Sequence, residues 1–395
     1  MRLPLLPIMI VLIIGIIVDI YLYRRMRHDR VPRVWCVVYT VIAVLGAMTL
    51  LSVIMLPKRS GGEEHLAMIM WLLYAYFTIY LPKYVMAVFS LLRKLLALIF
   101  HRPLKGISYV GAALGLTIFA TMAWGTAVNR YTTEVKDVDI DIKGLPEAFD
   151  GLRIAQISDF HVGSYAGDTT FVAEVVDRIN SLHPDLIVFT GDLVNRRSEE
   201  LYPYMSPLSR LKAPCGVWSV MGNHDYGDYF DWPDETMHRA DADSLKAMQS
   251  RMGWRMLNNG HALLHAGSDT IALIGVENIG DPPFKTYGDL DKASAGLPDG
   301  ITKILLSHNP MHWVDSISGH DDIDIALTLS GHTHAMQMEF FGWSPAEYRY
   351  PTWSGRYTDQ LGRHLYVNIG LGEVALPARL GSALPEITLF TLKSK

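Results

Sequence analysis

The sequence predicts two parts of different class: a membrane-spanning region of four helices, then an α/β domain of strands and helices in layers. Three observations carry this. Apolar runs of bilayer-crossing length (about 20 residues) crowd the first 128 residues. From about Asn129 the composition is that of a globular protein, with short apolar runs separated by Gly, Pro and Asp. Five of those runs end in Asp, Asn or His.

The first two spans are 3–23 and 34–56, and the last is 106–128. Between them an apolar run from Leu66 to Phe100 is broken by Pro82-Lys83 and Arg93-Lys94. Two short spans there would bury Arg93 and Lys94 near mid-membrane, at about 2.5–3.5 kcal/mol per charge. A single span, 66–92, lets Lys83 snorkel to the nearer surface, with 95–100 at the interface. Four spans therefore fill a membrane region 1–128. The loop 24–33 holds five arginines, and Arg93, Lys94, Arg102 and Lys105 mark another basic loop. The alternate loop, 57–65, offsets Lys58 and Arg59 with Glu63 and Glu64. The positive-inside rule places the basic loops in the cytoplasm and the following domain outside it, on a plasma or inner membrane. A cleavable signal peptide fits the first segment poorly, because its charges follow the apolar run.

The bulk numbers exclude some classes. Half of the 395 residues are hydrophobic and the formal net charge is −5. With no basic stripe interleaved with aromatics, nucleic acid is not an expected partner. Cys36 falls in a span and Cys215 in the soluble part, so an internal disulfide is not expected.

The domain 129–395 opens with "EVKDVDIDI" (134–142), which alternates as a half-buried strand does. The runs 152–158, 185–190, 217–221, 271–276, 302–307, 323–330 and 365–370 are nearly continuous and read as strands buried on both faces. Between the first two, 169–182 reads as a helix. Phe171, Val172, Val175, Val176 and Ile179 form its apolar stripe, with Asp168 or Thr169 as N-cap. The segment 226–254, rich in Asp and aromatics, reads as a surface loop followed by a helix over 243–254, with Leu245, Met248 and Met252 inward; the alternative is a lid over the site.

The strand ends carry "SDFH" (158–161), "TGDLVN" (190–195), "MGNHD" (221–225), "SHNP" (307–310) and "SGHTH" (330–334). In an open α/β sheet the strand ends converge on one crevice. The spacing of Asp159/His161 and of His332/His334 aims each pair to one side if the backbone is extended. Any single fragment is weak, but five polar tips at the same structural position are not accidental.

The ordered set Asp159-x-His161, Gly191-Asp192, Gly222-Asn223-His224-Asp225, His308 and Gly331-His332-x-His334 resembles the calcineurin-like metallophosphoesterases, and more closely their membrane-anchored bacterial branch. The tail "NIGLGEVALPARLGSALPEITLFTL" shares that flavour. The resemblance implies a four-layer αββα sandwich with two divalent ions, Mn, Fe or Zn, between the sheets. By position Asp159, His161 and His334 hold one ion. Asn223, His308 and His332 hold the other, with Asp192 bridging through its two oxygens. Two ions about 3.5–4 Å apart generate hydroxide near neutral pH and polarise a phosphoryl group. His224 stabilises the transition state or protonates the leaving oxygen, with Asp225 orienting its ring. The bland alternatives are a turn-capping histidine at 224 and, at 225, a turn residue bonding its own backbone.

What the resemblance implies is a membrane-anchored phosphoester hydrolase. Its partners are the bilayer and a phosphoester, with a lipid-linked phosphoester or pyrophosphate as the sharper form. The alternatives are a non-catalytic scaffold on the same fold, or a cytoplasm-facing pyrophosphatase of nucleotide-lipids. Relatives continue Gly-His-Thr-His with two glycines, where this chain has Ala335 and Met336. A differently shaped cleft is expected there. Arg196 and Arg197 are either a phosphate clamp or solvated loop charges.

Overall fold

A computed structural model of the chain describes residues 5–57, 59–280 and 285–395. The start of the first span and Lys58 lie outside the described residues. The chain divides into two compact units, Met1–Ala127 with Ala375–Pro377, and Val128–Val374 with Ala378–Lys395.

The first unit contains four helices, α1 (Leu5–His28), α2 (Arg33–Met55), α3 (Glu63–Phe100) and α4 (Gly106–Ala127). The stretches Leu5–His28, Arg33–Met55 and Gly106–Tyr131 are long and apolar enough to cross a membrane. α3 is one unbroken helix of 38 residues with Pro82 inside it, about 57 Å long at 1.5 Å per residue. Its interior corrects the expectation that Lys83 snorkels. Lys83 is buried, and its Nζ lies 2.9 Å from Asp19 Oδ1 of α1. Tyr39 of α2 and Tyr80 of α3 each donate to the Asp19 carboxylate at 2.7 Å. The ammonium sits over both tyrosine rings, 4.7 and 4.2 Å from their centroids. A lysine with a carboxylate partner inside the bundle gains nothing by reaching for the surface.

The second unit is built on two six-stranded sheets. The first has the order β1-β14-β2-β3-β4-β5, from β1 (Glu134–Ile142), β2 (Arg153–Ile157), β3 (Leu186–Phe189), β4 (Val217–Ser219), β5 (Arg255–Met256) and β14 (Glu386–Ser394). The second has the order β11-β12-β9-β8-β7-β6, from β6 (Gly260–Ala266), β7 (Asp269–Gly275), β8 (Lys303–Leu306), β9 (Leu327–Ser330), β11 (Gly355–Thr358) and β12 (His364–Val367). A small parallel pair joins β10 (Met338–Glu339) to β13 (Leu380–Gly381).

Strand alternation builds the layers. In β3, Leu186 and Val188 point between the sheets, where they join Ile304, Leu306, Leu327 and Leu329. Ile187 and Phe189 point the other way. There they meet Val172, Val175, Val176 and Ile179 of helix α5 (Thr170–Ser181), and Leu245 and Met248 of the helix Glu235–Arg251. Leu305 and Val367 on the far side of the second sheet pack with Trp313 of the helix Met311–Ser316. Helix, sheet, sheet, helix is the predicted four-layer sandwich.

Some boundaries shift. β9 begins only at Leu327, because Ile323 closes a turn on His320 (N···O 3.2 Å). The helix expected over 243–254 starts at Glu235, where Asp234 accepts from the Met237 N–H at 2.8 Å. At α5 the Asp168 carboxylate takes the Thr170 N–H at 2.9 Å, while Thr169 makes no side-chain cap.

Candidate metal centre

Strands β2, β3, β8 and β9 run parallel within their sheets. The loops after their C-terminal ends, with the loop after β4, carry all seven expected ligands. Asp159, His161 and His334 each present an atom within 4.8 Å of the others, and Asp192, His308 and His332 do the same. Between the first pair of imidazoles, His161 Nε2 and His334 Nε2 lie 3.1 Å apart, and Asp159 Oδ1 is 3.2 Å from His334 Nε2. In the second group, His308 Nε2 is 3.2 Å from both His332 Nδ1 and Asn223 Oδ1.

The backbone does not converge in the way the spacing implies. Asp159, His161, Asp192, His332 and His334 all have positive φ, between 43 and 76°. The i, i+2 pairs are therefore not extended; tight left-handed turns aim them inward. Asp and His tolerate this region better than most residues, and such strain gathers at functional sites. Glycines fill the closest approaches. A Cβ on Gly191 would lie 2.6 Å from Gly222 N and 2.8 Å from His308 Nδ1, and one on Gly331 would run into Ser158 and Asp159.

Second partners set the ring nitrogens. His308 Nδ1 donates to the Thr190 carbonyl at 2.7 Å, leaving Nε2 toward Asp192 Oδ2 at 3.1 Å. His332 Nε2 is bonded to Tyr350 Oη at 3.0 Å, which directs Nδ1 inward. Asn223 Nδ2 donates to Tyr229 Oη at 2.8 Å, so its carbonyl oxygen faces His308. Asp192 spends Oδ1 on the His224 N–H at 2.8 Å. Oδ2 alone faces both groups, 3.1 Å from His308 Nε2 and 3.6 Å from His161 Nε2.

Burial lowers His161 well below the ordinary imidazole pKa and brings His332 to about 3, which leaves neutral rings with lone pairs. Burial also opposes charge on His308, Asp159 and Asp192, but Asp192 beside His308, His334 beside Asp159 and His308 beside Asp192 outweigh it. His308 rises to about 9, and both carboxylates fall below their usual range. A proton on His308 offsets part of the charge of the two buried carboxylates and can bridge to His332 Nδ1 at 3.2 Å, and a divalent cation would displace it. This donor set fits divalent cations.

His224 and Asp225 need a correction. The His224 ring is oriented by a backbone carbonyl: Nδ1 donates to Asn195 O at 2.5 Å. The ring lies perpendicular to His161 at 4.8 Å and against Tyr229 at 4.3 Å. Burial lowers its pKa. Asp225 does not hold the ring. Its carboxylate, 1 % exposed, accepts four backbone N–H groups: Asp192 and Leu193 at 2.8 Å, Gly222 at 2.9 Å and Val194 at 3.2 Å. Burial and the Asp192 charge push Asp225 up to about 7, against those donors. Asp225 ties the Asp192 loop to the Asn223 loop, which extends the bland reading of a turn residue.

The tail motif has a comparable task. Leu371 N and Gly372 N donate to Ser158 O and Asp159 O at 3.0 and 2.7 Å, and buried Arg379 donates to the carbonyls of Ile369, Gly370 and Gly372. Arg196 is buried and Arg197 lies 4.6 Å over the Phe230 ring, so neither is a solvated loop charge. At the departure from the relatives' glycines, Ala335 and Met336 hold φ of 50 and 46°. A backbone that glycine suits is kept with side chains added. Tyr229, Tyr350 and the Asn195 and Thr190 carbonyls were not found from sequence. Carbonyls carry no side-chain signal, and Tyr229 sat in a segment read as surface loop.

Comparison with known proteins agrees with this geometry. Residues 152–336 match the family described as "Calcineurin-like phosphoesterase", and residues 1–130 match "Probable Calcineurin-like phosphoesterase, transmembrane domain". The chain is 33% identical to the metallophosphoesterase YkuE of Bacillus subtilis, over 74% of this chain and 96% of that protein. It is 31% identical to a transmembrane protein with metallophosphoesterase domain of Danio rerio, over 72% of this chain and 63% of that longer protein. It is 27% identical to the UDP-2,3-diacylglucosamine pyrophosphatase LpxG of Chlamydia muridarum, over 67% and 92% of the two chains.

Proposed function

The chain belongs to the calcineurin-like phosphoesterases and is a membrane-integral, metal-dependent phosphoester hydrolase; on that premise we propose that it uses two divalent ions to cleave a lipid-linked phosphoester or pyrophosphate outside the cytoplasm. The observation carrying this reading is that Asp192 Oδ2 lies 3.1 Å from His308 Nε2 of one ligand group and 3.6 Å from His161 Nε2 of the other.

In this reading the membrane region ends at 128 and the hydrolase domain begins at 129. Asp159, His161 and His334 would hold one ion and Asn223, His308 and His332 the other, with Asp192 within reach of both groups. When bound, the ions supply Lewis acidity at phosphoryl oxygens and lower the pKa of water toward neutrality. The chain supplies the rest. Thr190, Tyr350 and Tyr229 fix ligand orientation, and Asn195 fixes the His224 tautomer. With Nδ1–H on that carbonyl, Nε2 is the nitrogen available to the leaving oxygen.

The lipid-linked substrate is supported by the membrane helices and by LpxG, whose name states a nucleotide-lipid pyrophosphate. Sidedness is supported within the helical unit. Arg25 of the first basic loop donates to Ser90 and Ser108, so both basic segments gather at one end of the bundle. With the single helix α3 counted as a crossing beside the three stretches long and apolar enough to cross a membrane, the crossings number four and the domain lies on the same side as the N-terminus. The test is metal analysis with a phosphoester panel on the full chain in nanodiscs. Wild type should carry two metals per chain and prefer nucleotide-lipid over soluble diesters. Asp192→Ala should lose metal and activity together. Equal turnover of soluble diesters would refute the lipid-linked substrate, and full metal content in Asp192→Ala would refute the shared oxygen.

A further inference from the structure

The loop from His332 to Tyr350 leaves the metal centre and returns to it, since its two ends meet in the His332–Tyr350 hydrogen bond. Its base is held firmly. β10 pairs with β13, Ser344 Oγ donates to Ala335 O at 2.6 Å, and Gln337 bonds Ala378 O and Val374 N, both at 2.7 Å. Its tip is bare. Phe340 and Trp343 exchange backbone hydrogen bonds at 2.9 and 3.1 Å across the two residues Phe341-Gly342. Both of these have positive φ, 56 and 78°. That is the geometry of a tight hairpin turn whose first position normally takes Asn, Asp or Gly.

Here an aromatic holds the strained position and packs on nothing: Phe341 is 106 % exposed. Tyr348 is 85 % exposed and Trp343 42 %, their rings 6.0 Å apart edge to face, with Met336 also 42 % exposed. Phe341 brings no interior contact to offset its backbone strain, so its side chain adds nothing to the packing of the folded domain.

We propose that this finger, Phe341 with Trp343, Tyr348 and Met336, inserts into the lipid interface of the membrane that anchors the chain. Phe, Trp and Tyr are the residues that settle at the headgroup boundary. The four helices keep the chain at a bilayer, so the partner is always at hand. A second copy of the chain fits less well. A stable protein interface needs about 800 Å² per side, whereas the four side chains, with Trp343 and Met336 only 42 % exposed, offer together roughly 400–700 Å² at about 150–250 Å² for a fully exposed one. The inference goes beyond the substrate reading and holds whatever phosphoester is cleaved. Its consequence is that the loop whose ends are His332 and Tyr350 is itself in contact with the bilayer.

The test uses the full chain in nanodiscs, with Cys36→Ala and Cys215→Ala and one environment-sensitive fluorophore. The label is placed at Phe341→Cys, at Tyr348→Cys as a second reporter, or at Leu361→Cys as control. Leu361 is exposed and lies between β11 and β12, at the end of the sheet opposite the metal loops. Labels at 341 and 348 should emit to the blue, lose most of their emission to nitroxide-bearing lipids and resist aqueous iodide. The 361 label should do the reverse. If the finger labels behave like 361, the inference is overturned. It is equally overturned if they resist both quenchers, which would mean that protein covers the finger.

Discussion

Replacing Asp225 separates a residue that shapes the metal loops from one that acts on the substrate. Its carboxylate accepts four buried N–H groups, so Asp225→Ala orphans all four. At about 1–3 kcal/mol for each unsatisfied donor, and taking the low end because water enters the space left, the loss is about 4 kcal/mol. For a domain of this size that lowers the melting temperature by about 8 °C or more. Asp225→Asn keeps one oxygen. If that oxygen serves Leu193 and Val194, the amide NH2 faces the donors of Asp192 and Gly222. Two groups are lost, at about 2 kcal/mol. The assay combines thermal unfolding of the metal-loaded chain, metal content and kcat. Asp225→Asn and then Asp225→Ala should lose stability and metal in that order, with activity tracking the metal. His224→Ala should keep both and lose about 10²–10⁴ in kcat. The reasoning fails if Asp225→Ala melts and binds metal like wild type while matching the His224→Ala rate, because the carboxylate would then act through the ring after all.

The buried pair in the helical unit should behave non-additively. Asp19→Asn or Lys83→Met alone leaves one charge unpaired and costs about 3–5 kcal/mol, while the double variant returns close to wild type; unfolding midpoints in nanodiscs read the cycle, and additive losses would show that the pair is not coupled. His312 gives a pH signature. Burial lowers its folded pKa to about 4 against about 6.5 unfolded, so the unfolded chain takes up a proton first as pH falls. About 3 kcal/mol of stability, fully present above pH 6.5, is lost on descending to pH 4. His312→Asn should flatten that slope in unfolding midpoints across the window.

Local chemistry made much of this protein legible in its sequence. Buried strands such as Leu186–Phe189 are apolar on both faces because both faces are covered, and bilayer length shows in any unbroken apolar run. The candidate ligands stand out in the sequence because metal chemistry restricts residue type, and five strand ends repeat that restriction. Tertiary structure alone decided how those residues are held. Positive φ at Asp159, His161, Asp192, His332 and His334 replaces the extended backbone that their spacing implies. Asn195 orients His224 through a carbonyl that every residue possesses, so no residue letter announces it. Asp225 finds its donors in a loop about 30 residues earlier, and Lys83 finds Asp19 across 64 residues of chain. A side chain's role follows from what folding brings beside it, and partners that far apart leave no periodic trace in a linear sequence.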